Sequence, residues 1–541
     1  MNTDRPEMPS RREWLRLLAG MPLAAVAACS SNNPYSHITG GIAGANHKVG
    51  HLLRDGAAIP APDEYMEREI VIAGAGVSGL SAARWLGRKG HDDILLLEMG
   101  ERTGGNAVWG QNKASAYPWG AHYLPVPDVA DEELATFLQA AGVITGYRNG
   151  LPVFNEYHLC HDPEERLFIH GHWQEGLLPH FGVPGPDRQQ IAGFMQHVAA
   201  LKEEKGTDGK YAFSIPLDTS SADERWRSLD TITFAQYLKE RGYTSAYLLW
   251  YLNYCCKDDY GMGIEHTSAW AGLHYFAARR GRAANADHSS ILTWPQGNGF
   301  LADALKAQCG NTEIKTGVLL YRVLPHADYV ELHCLMPDTG KSFGIRAKKV
   351  LLSSPRYVNK HLLAGDISNH ISGQASYAPW VVANITFSSL PQGRGTALCW
   401  DNVIYGRDSV GYVYANHQSL TPPVGKGVIT WYLPIQAGSD RDARMQVYNR
   451  TWNDWVKVIM EDLSIAHRDI HRFVENIDVW VWGHGMIQPV PGYIWGRERA
   501  AAMRPVNDRI FFAHSDLSGI SIFEEAFHQG IRAAKELSGM S

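Results

Sequence analysis

Three glycines, Gly74, Gly76 and Gly79, and an acid, Glu98, 24 residues after the first of them, are the residues whose types and spacing specify chemistry most directly. Glycine at the first position permits a tight turn. At the second it lets backbone approach a diphosphate, and at the third it lets a helix pack closely on a strand. The helix that follows would offer an anion the unpaired N–H groups of its N-terminus. Glu98 is placed to accept hydrogen bonds from a ribose diol, and an acid there argues against a 2′-phosphate.

A glycine triplet alone is weak, so the elements around it decide. Residues 70–73 (Ile-Val-Ile-Ala) form a short apolar run suited to a buried parallel strand. Residues 80–89 fit a helix, with Leu80, Ala83 and Leu86 near helical spacing. Residues 94–97 (Ile-Leu-Leu-Leu) read as a second buried strand that ends at Glu98. An ordinary glycine-rich loop has no such frame. The unit predicts a Rossmann-like α/β domain.

The chain has 541 residues, 45% hydrophobic and 20% charged, which suits one large or two to three ordinary globular domains. Its 17 Trp and 24 Tyr could wall a flat ligand, although core packing uses the same residues. The net charge of −6 and the lack of a recurring Lys/Arg run give no sign of nucleic acid. The seven cysteines lack the spacings of zinc ribbons or covalent haem, so no metal is expected. The neighbours Cys255 and Cys256 read as buried thiols.

The N-terminus reads as an address. Ser10-Arg11-Arg12 precedes an apolar stretch of 12 residues, 17–28, which ends at Cys29. A membrane span needs about 20, so the stretch reads as a signal core. It resembles a twin-arginine signal (1–29) with a lipobox, which implies export of a folded chain through the twin-arginine machinery and lipidation of Cys29. Such a lipid would be the protein's one tie to a membrane. Localisation would be periplasmic or membrane-anchored. Residues 30–65 read as a polar tether.

Residues 98–106 (Glu-Met-Gly-Glu-Arg-Thr-Gly-Gly-Asn) resemble the glutamate-to-double-glycine signature of the flavin-containing amine oxidase and phytoene-desaturase superfamily. The resemblance implies FAD rather than NAD, contacted by Gly74, Gly76, Val77, Ser78, Gly79, Glu98, Arg102, Gly104, Gly105 and Asn106. Amine oxidases usually carry arginines two and eight residues after the glutamate. Here those places hold Gly100 and Asn106. Residues 117–124 resemble the segment that passes the isoalloxazine, which puts Gly120, Ala121, His122 and Tyr123 at the ring. Residues 294–299 resemble a glycine turn before a helix, residues 314–323 a strand whose backbone near Leu320 meets adenine, and residues 349–355 the return strand. Residues 509–516 resemble the strand and acid, Asp516, that bind the ribityl chain, with His514 where glycine is usual. Residues 524–538 read as the closing helix, whose N-terminus faces the flavin with Ile522 and Phe523 touching the ring.

These motifs assign residues 66–125, 286–365 and 476–541 to an FAD-binding domain assembled from separate segments. Residues 126–285 and 366–475 then form an inserted α+β substrate domain, with helices near 233–241 and 270–279 and strands near 381–387 and 428–433. The implied activity is oxidation of a C–N bond of an amine or polyamine, flavin taking up the hydride and water hydrolysing the imine. The small-molecule substrate's electrons would pass to a periplasmic acceptor, cytochrome c or quinone, or to oxygen. The lysine that amine oxidases place near flavin N5 is replaced by Asn384 or Ala383, which makes a dehydrogenase plausible. His122 and His484 are the candidate catalytic histidines, and residues 480–486 and 491–496 could line the substrate side. Asp258 and Asp259 suggest an acidic handle for an amine, as in spermidine-dehydrogenase-like proteins, although a solvated loop is the plainer reading. Two alternatives stay open: a desaturase or isomerase of an apolar, carotenoid-like substrate, and a lipoprotein that binds FAD without catalysis.

Overall fold

The computed structural model describes residues 34–363, 375–389, 393–419 and 425–540. The signal stretch and Cys29 lie outside the described residues. The architecture is that of the unit Ile38–Ser541. It is α/β, with two large sheets.

The nucleotide sheet has seven strands. Glu313–Lys315, Ile94–Leu97, Tyr65–Ala73 and Lys341–Leu352 lie side by side in parallel, and Ile510–Phe512 joins the C-terminal end of Lys341–Leu352. Val330–Met336 and Leu319–Pro325 complete it as an antiparallel meander. The central strands are buried on both faces, which is why 70–73 and 94–97 read as unbroken apolar runs. The helices Val77–Arg88 and Phe523–Ser538 pack together on one face, where Ser78 and Ser81 donate to the carbonyls of Ala526 and Phe527 at 2.8 and 2.9 Å.

The substrate sheet has eight strands in the order Thr39–Gly44, Val474–Ile487, Tyr377–Phe387, Gly427–Pro434, Tyr412–Tyr414, Asp401–Ile404, Glu165–Ile169 and His172–Glu175. Helices including Ala246–Tyr260 and Ala269–Ala277 pack beside it around the buried Trp270. Ala246–Tyr260 starts at Ser245, whose hydroxyl accepts the Leu248 N–H, and stops at the left-handed Gly261. No helix among the described residues is long and apolar enough to cross a membrane.

Three boundaries differ from the sequence reading. The tether expected over 30–65 contains the strand Thr39–Gly44, paired in parallel with Asn476–Val481, and the helix His47–Arg54. Its sequence, Thr-Gly-Gly-Ile-Ala-Gly, has no apolar run, because an edge strand gains its hydrogen bonds from a partner more than 400 residues away. Residues 476–487, expected in the FAD-binding domain, are a strand of the substrate sheet. The expected strand 314–323 is two strands, broken where Gly317 and Val318 turn to donate to the carbonyls of Gly100 and Glu98.

Candidate active site

The cradle begins at Gly74, whose φ of 105° is open to glycine but strained for other residues. A β-carbon at Gly79 would lie 1.9 Å from the Gly74 carbonyl oxygen, so only glycine lets the Val77–Arg88 helix start this close to the strand. The 98–106 loop folds back over the turn: Gly104 N–H donates to Ala75 O at 2.8 Å, and Gly76 bridges to Gly104 and sits against Gly105. Glu98 accepts the N–H groups of Ala75 (2.9 Å) and Gly100 (2.7 Å), one on each carboxylate oxygen. Burial pushes its carboxyl up from the usual range, and these N–H groups oppose that. Each oxygen keeps a second acceptor site for a diol.

Two expected contacts are placed differently. Arg102 is exposed and donates to Trp109 O at 3.2 Å, so its charge faces the surface. Leu320 is paired with Cys334 and packed in the core of the nucleotide sheet. The backbone that comes to Glu98 is Val318, two residues earlier, which donates to Glu98 O at 2.9 Å. The break at Gly317 shifts the register by that amount.

Beyond the cradle, a cavity brings Asn106, Gly120, Ala121, His122 and Tyr123 together with Ile522 and Phe523. The sequence reading put residues 120–123, Ile522 and Phe523 at one flat ring and Asn106 among the other FAD contacts, and all of them line this one cavity. The 119–123 backbone is pinned on every side: Trp482 Nε1 donates to Trp119 O (2.7 Å), Tyr432 O–H to Gly120 O (3.0 Å), Asn298 N–H to Ala121 O (3.0 Å), and Asn298 Nδ2 to Tyr123 O (2.9 Å). A β-carbon at Gly120 would meet Asn106 O at 2.3 Å. Asn106 itself donates to Gly485 O at 2.5 Å.

The two candidate histidines part company. His122 lines the cavity, 4.7 Å from the Tyr432 ring, and burial pulls it down to about 4, so it is neutral at pH 7. His484 does not line it. Trp380 pairs with Trp482 and Ala378 with Met486, which leaves His484 in a bulge, stacked on Tyr357 at 4.1 Å and pulled down to about 3 chiefly by burial. Trp482 and Met486, on either side of the bulge, reach the cavity instead. Asn384 also points elsewhere: it donates to Pro118 O (3.0 Å) and accepts from Thr430 (2.7 Å). Its strand presents Trp380 and Val382 to the cavity, and no lysine is among the described lining residues.

Asp258 and Asp259 do not lie on a solvated loop. They end the Ala246–Tyr260 helix, inside the cavity wall. Asp259 is bound to Arg279 Nη2 at 3.0 and 3.2 Å and faces the Tyr123 hydroxyl at 3.3 Å. Asp258 has no hydrogen-bond partner among the described residues. Burial, with the like charges of Asp259 and Glu165, pushes it up to about 7 against the pull of Arg279. Glu524, in the first turn of the closing helix, lines the same cavity and is raised to about 7, first by burial. Arg279, Tyr432 and Glu524 were not singled out by the sequence. The signals for them were faint: an Arg pair after a helix and an acid pair opening one.

Asp516 is buried at the end of the closing strand. Its carboxylate takes the Arg356 N–H (3.0 Å) and the Tyr377 O–H (2.6 Å), and His514 Nδ1 lies 2.9 Å away. Burial opposes ionisation, but His514 and these donors together hold the carboxyl below its usual range.

The sequence model of the flavin-containing amine oxidoreductases matches residues 77–538. The chain belongs to that family. It is an FAD-dependent oxidoreductase, and the cradle fits the cofactor: the close glycine approaches admit a dinucleotide backbone, and Glu98 presents free acceptor sites. No curated protein matches in sequence. Among solved structures, a double mutant of putrescine oxidase superposes with a TM-score of 0.64 at 15% identity, covering 88% of this chain and 100% of that one. Cyclohexylamine oxidase from Brevibacterium oxydans IH-35A gives 0.62 at 14%, covering 88% and 99%. A fatty acid isomerase from P. acnes gives 0.57 at 16%, covering 86% and 97%. These likenesses show the shared fold.

Proposed function

We propose that the chain is an exported enzyme that oxidises a C–N bond of an amine or polyamine. The observation that carries this reading is Asp258: a carboxylate with no protein donor, set in the wall of the cavity that also holds the Ile522–Phe523 end of the closing helix. A half-buried acid without a hydrogen-bond donor is costly in its charged form unless a cation completes it. Trp380, Tyr432 and Trp482 offer aromatic faces to the same cation. The neutral His122 adds no opposing charge.

Bound FAD supplies the two-electron acceptor. The chain's own residues do the rest. Asp258 draws the ammonium inward, the aromatic walls orient the carbon chain, and Glu524, poised near 7, is placed to hold the proton that an ammonium must lose before its C–N bond is oxidised. Water then hydrolyses the imine. The absence of lysine among the described lining residues supports transfer of electrons to cytochrome c or a quinone over oxygen.

The fatty acid isomerase neighbour keeps a second reading in view, dehydrogenation or isomerisation of an apolar substrate. The carboxylates in the cavity favour the amine. Anaerobic addition of diamines to the purified yellow protein tests the choice: bleaching of the flavin band supports C–N oxidation, and bleaching by unsaturated lipids alone overturns it. Response to neither class, with intact photoreduction, leaves an FAD-binding lipoprotein. Export and lipidation at Cys29 are tested by labelling cells with a lipid precursor, with Cys29→Ala as the control.

A further inference from the structure

The segment expected as a tether joins the two sheets and passes beside Met99, next to Glu98. Thr39–Gly44 fixes it to the substrate sheet, with the Thr39 hydroxyl donating to Glu475 O at 3.1 Å. The helix His47–Arg54 then crosses toward the nucleotide sheet. His47 has its ring 4.7 Å from that of Tyr448. In the middle, Gly50 sits against Met99, the residue after Glu98, where a β-carbon would come 3.7 Å from the sulfur. Near the far end, Leu53 packs on the core that contains Val318 and Leu320. Pro60 O accepts the Tyr321 O–H at 2.9 Å, which ties down the chain that follows.

The helix and its neighbours are basic where the family's usual cations are missing. Gly100 carries no charge, and a β-carbon there would lie 3.2 Å from Glu98 Oε1. His47–Arg54 contains Lys48 and Arg54 and no acid, and Arg54 is paired with Asp55 at 2.6 Å. Arg444 lies one helical turn before Tyr448 on Asp440–Asn449, so both project from one face. The Tyr448 hydroxyl comes against Gly483, beside His484, and His484 stacks on Tyr357, whose neighbour Tyr377 binds Asp516. Arg444 is half-buried and has no hydrogen-bond or ion-pair partner among the described residues. A guanidinium in that position matches an anion that presents paired oxygens.

We propose that residues 39–54 and Arg444 form a clasp over the diphosphate side of the FAD cradle, supplying the positive charge that Gly100 and Asn106 do not. This deepens the FAD assignment and is independent of the substrate. Arg444 pairs with the diphosphate, Lys48 adds to the local potential, and the strand Thr39–Gly44 keeps the helix in place.

The test is FAD retention by the full-length holoenzyme, read as fluorescence of released flavin on dilution and as the dissociation constant at several salt concentrations. Arg444→Ala is expected to weaken FAD at least tenfold and to flatten the salt dependence, with Arg444→Lys recovering part of the loss. In competition with FAD, ADP should weaken with the variant while adenosine stays unchanged. Deletion of residues 39–56 should speed release further, and near-UV circular dichroism and melting establish that each variant is folded. If Arg444→Ala does not fold, Lys48→Ala and Arg444→Lys carry the test, each expected to weaken ADP but not adenosine. Parental FAD and ADP affinity in the folded variants overturns the clasp, as does an equal loss of ADP and adenosine. A parental protein that takes up no FAD overturns the family reading instead.

Discussion

Replacing Asp258 by Asn keeps the shape of the side chain and removes its charge. A unit charge pair about 4 Å apart at an effective dielectric of about 20 is worth about 4 kcal/mol before desolvation. Charged hydrogen bonds retain about 1.5–3 kcal/mol net. A loss of about 2–3 kcal/mol lowers kcat/KM for a diamine about 30- to 150-fold, at about 1.4 kcal/mol per decade. The effect should depend on pH. With its carboxyl raised to about 7, Asp258 is about nine-tenths ionised at pH 8 and about one-tenth at pH 6. The ratio of native to variant kcat/KM should therefore fall about tenfold between pH 8 and pH 6. Stopped-flow flavin reduction under anaerobic conditions reads this directly, and the flavin spectrum shows whether the site is intact. A variant within threefold of the native rate at pH 8, or a ratio that does not change with pH, refutes the reasoning.

Further outcomes follow from the same geometry. Arg279→Ala strands Asp259 in the cavity wall and should cost about 3–5 kcal/mol in a denaturant melt, with the double variant Arg279→Met/Asp259→Leu recovering most of it. Gly120→Ala drives a β-carbon into Asn106 O and should weaken FAD binding at least tenfold, measured by flavin titration of the apoprotein. Asp258, Glu524 and Glu525 are each raised to about 7, so these three groups hold more protons in the folded chain than in the unfolded one between about pH 4 and 7. Their contribution to stability should fall as pH rises through that window and level off above it; Asp258→Asn removes one share of that fall, so between pH 6 and pH 8 the melting temperature of the variant should rise relative to that of the native chain.

What the sequence made legible was local. The turn at Gly74, the strands at 70–73 and 94–97 and the acid Glu98 lie within 30 residues of one another, and each is dictated by its neighbours. The closing helix was legible for the same reason. The strand Thr39–Gly44 was not, because its partner lies at the other end of the chain and its own residues have no apolar alternation. Asp258 and Asp259 looked solvated because a Lys-Asp-Asp run such as 257–259 is usually an exposed one. Their surroundings come from Arg279, Tyr123 and the cavity, which only tertiary packing assembles. His484 was misplaced by a bulge, and Leu320 by a turn at Gly317. Both are departures from regular spacing that periodicity cannot show.

The central claim, that this FAD-dependent oxidoreductase acts on amines through Asp258, is tested most directly by anaerobic titration of the native holoenzyme and Asp258→Asn with a diamine at pH 8, following the visible flavin band. The account predicts rapid, stoichiometric bleaching of the native protein and a rate at least 30-fold lower in the variant. A native flavin that stays oxidised with every amine but is bleached by an uncharged substrate would contradict it.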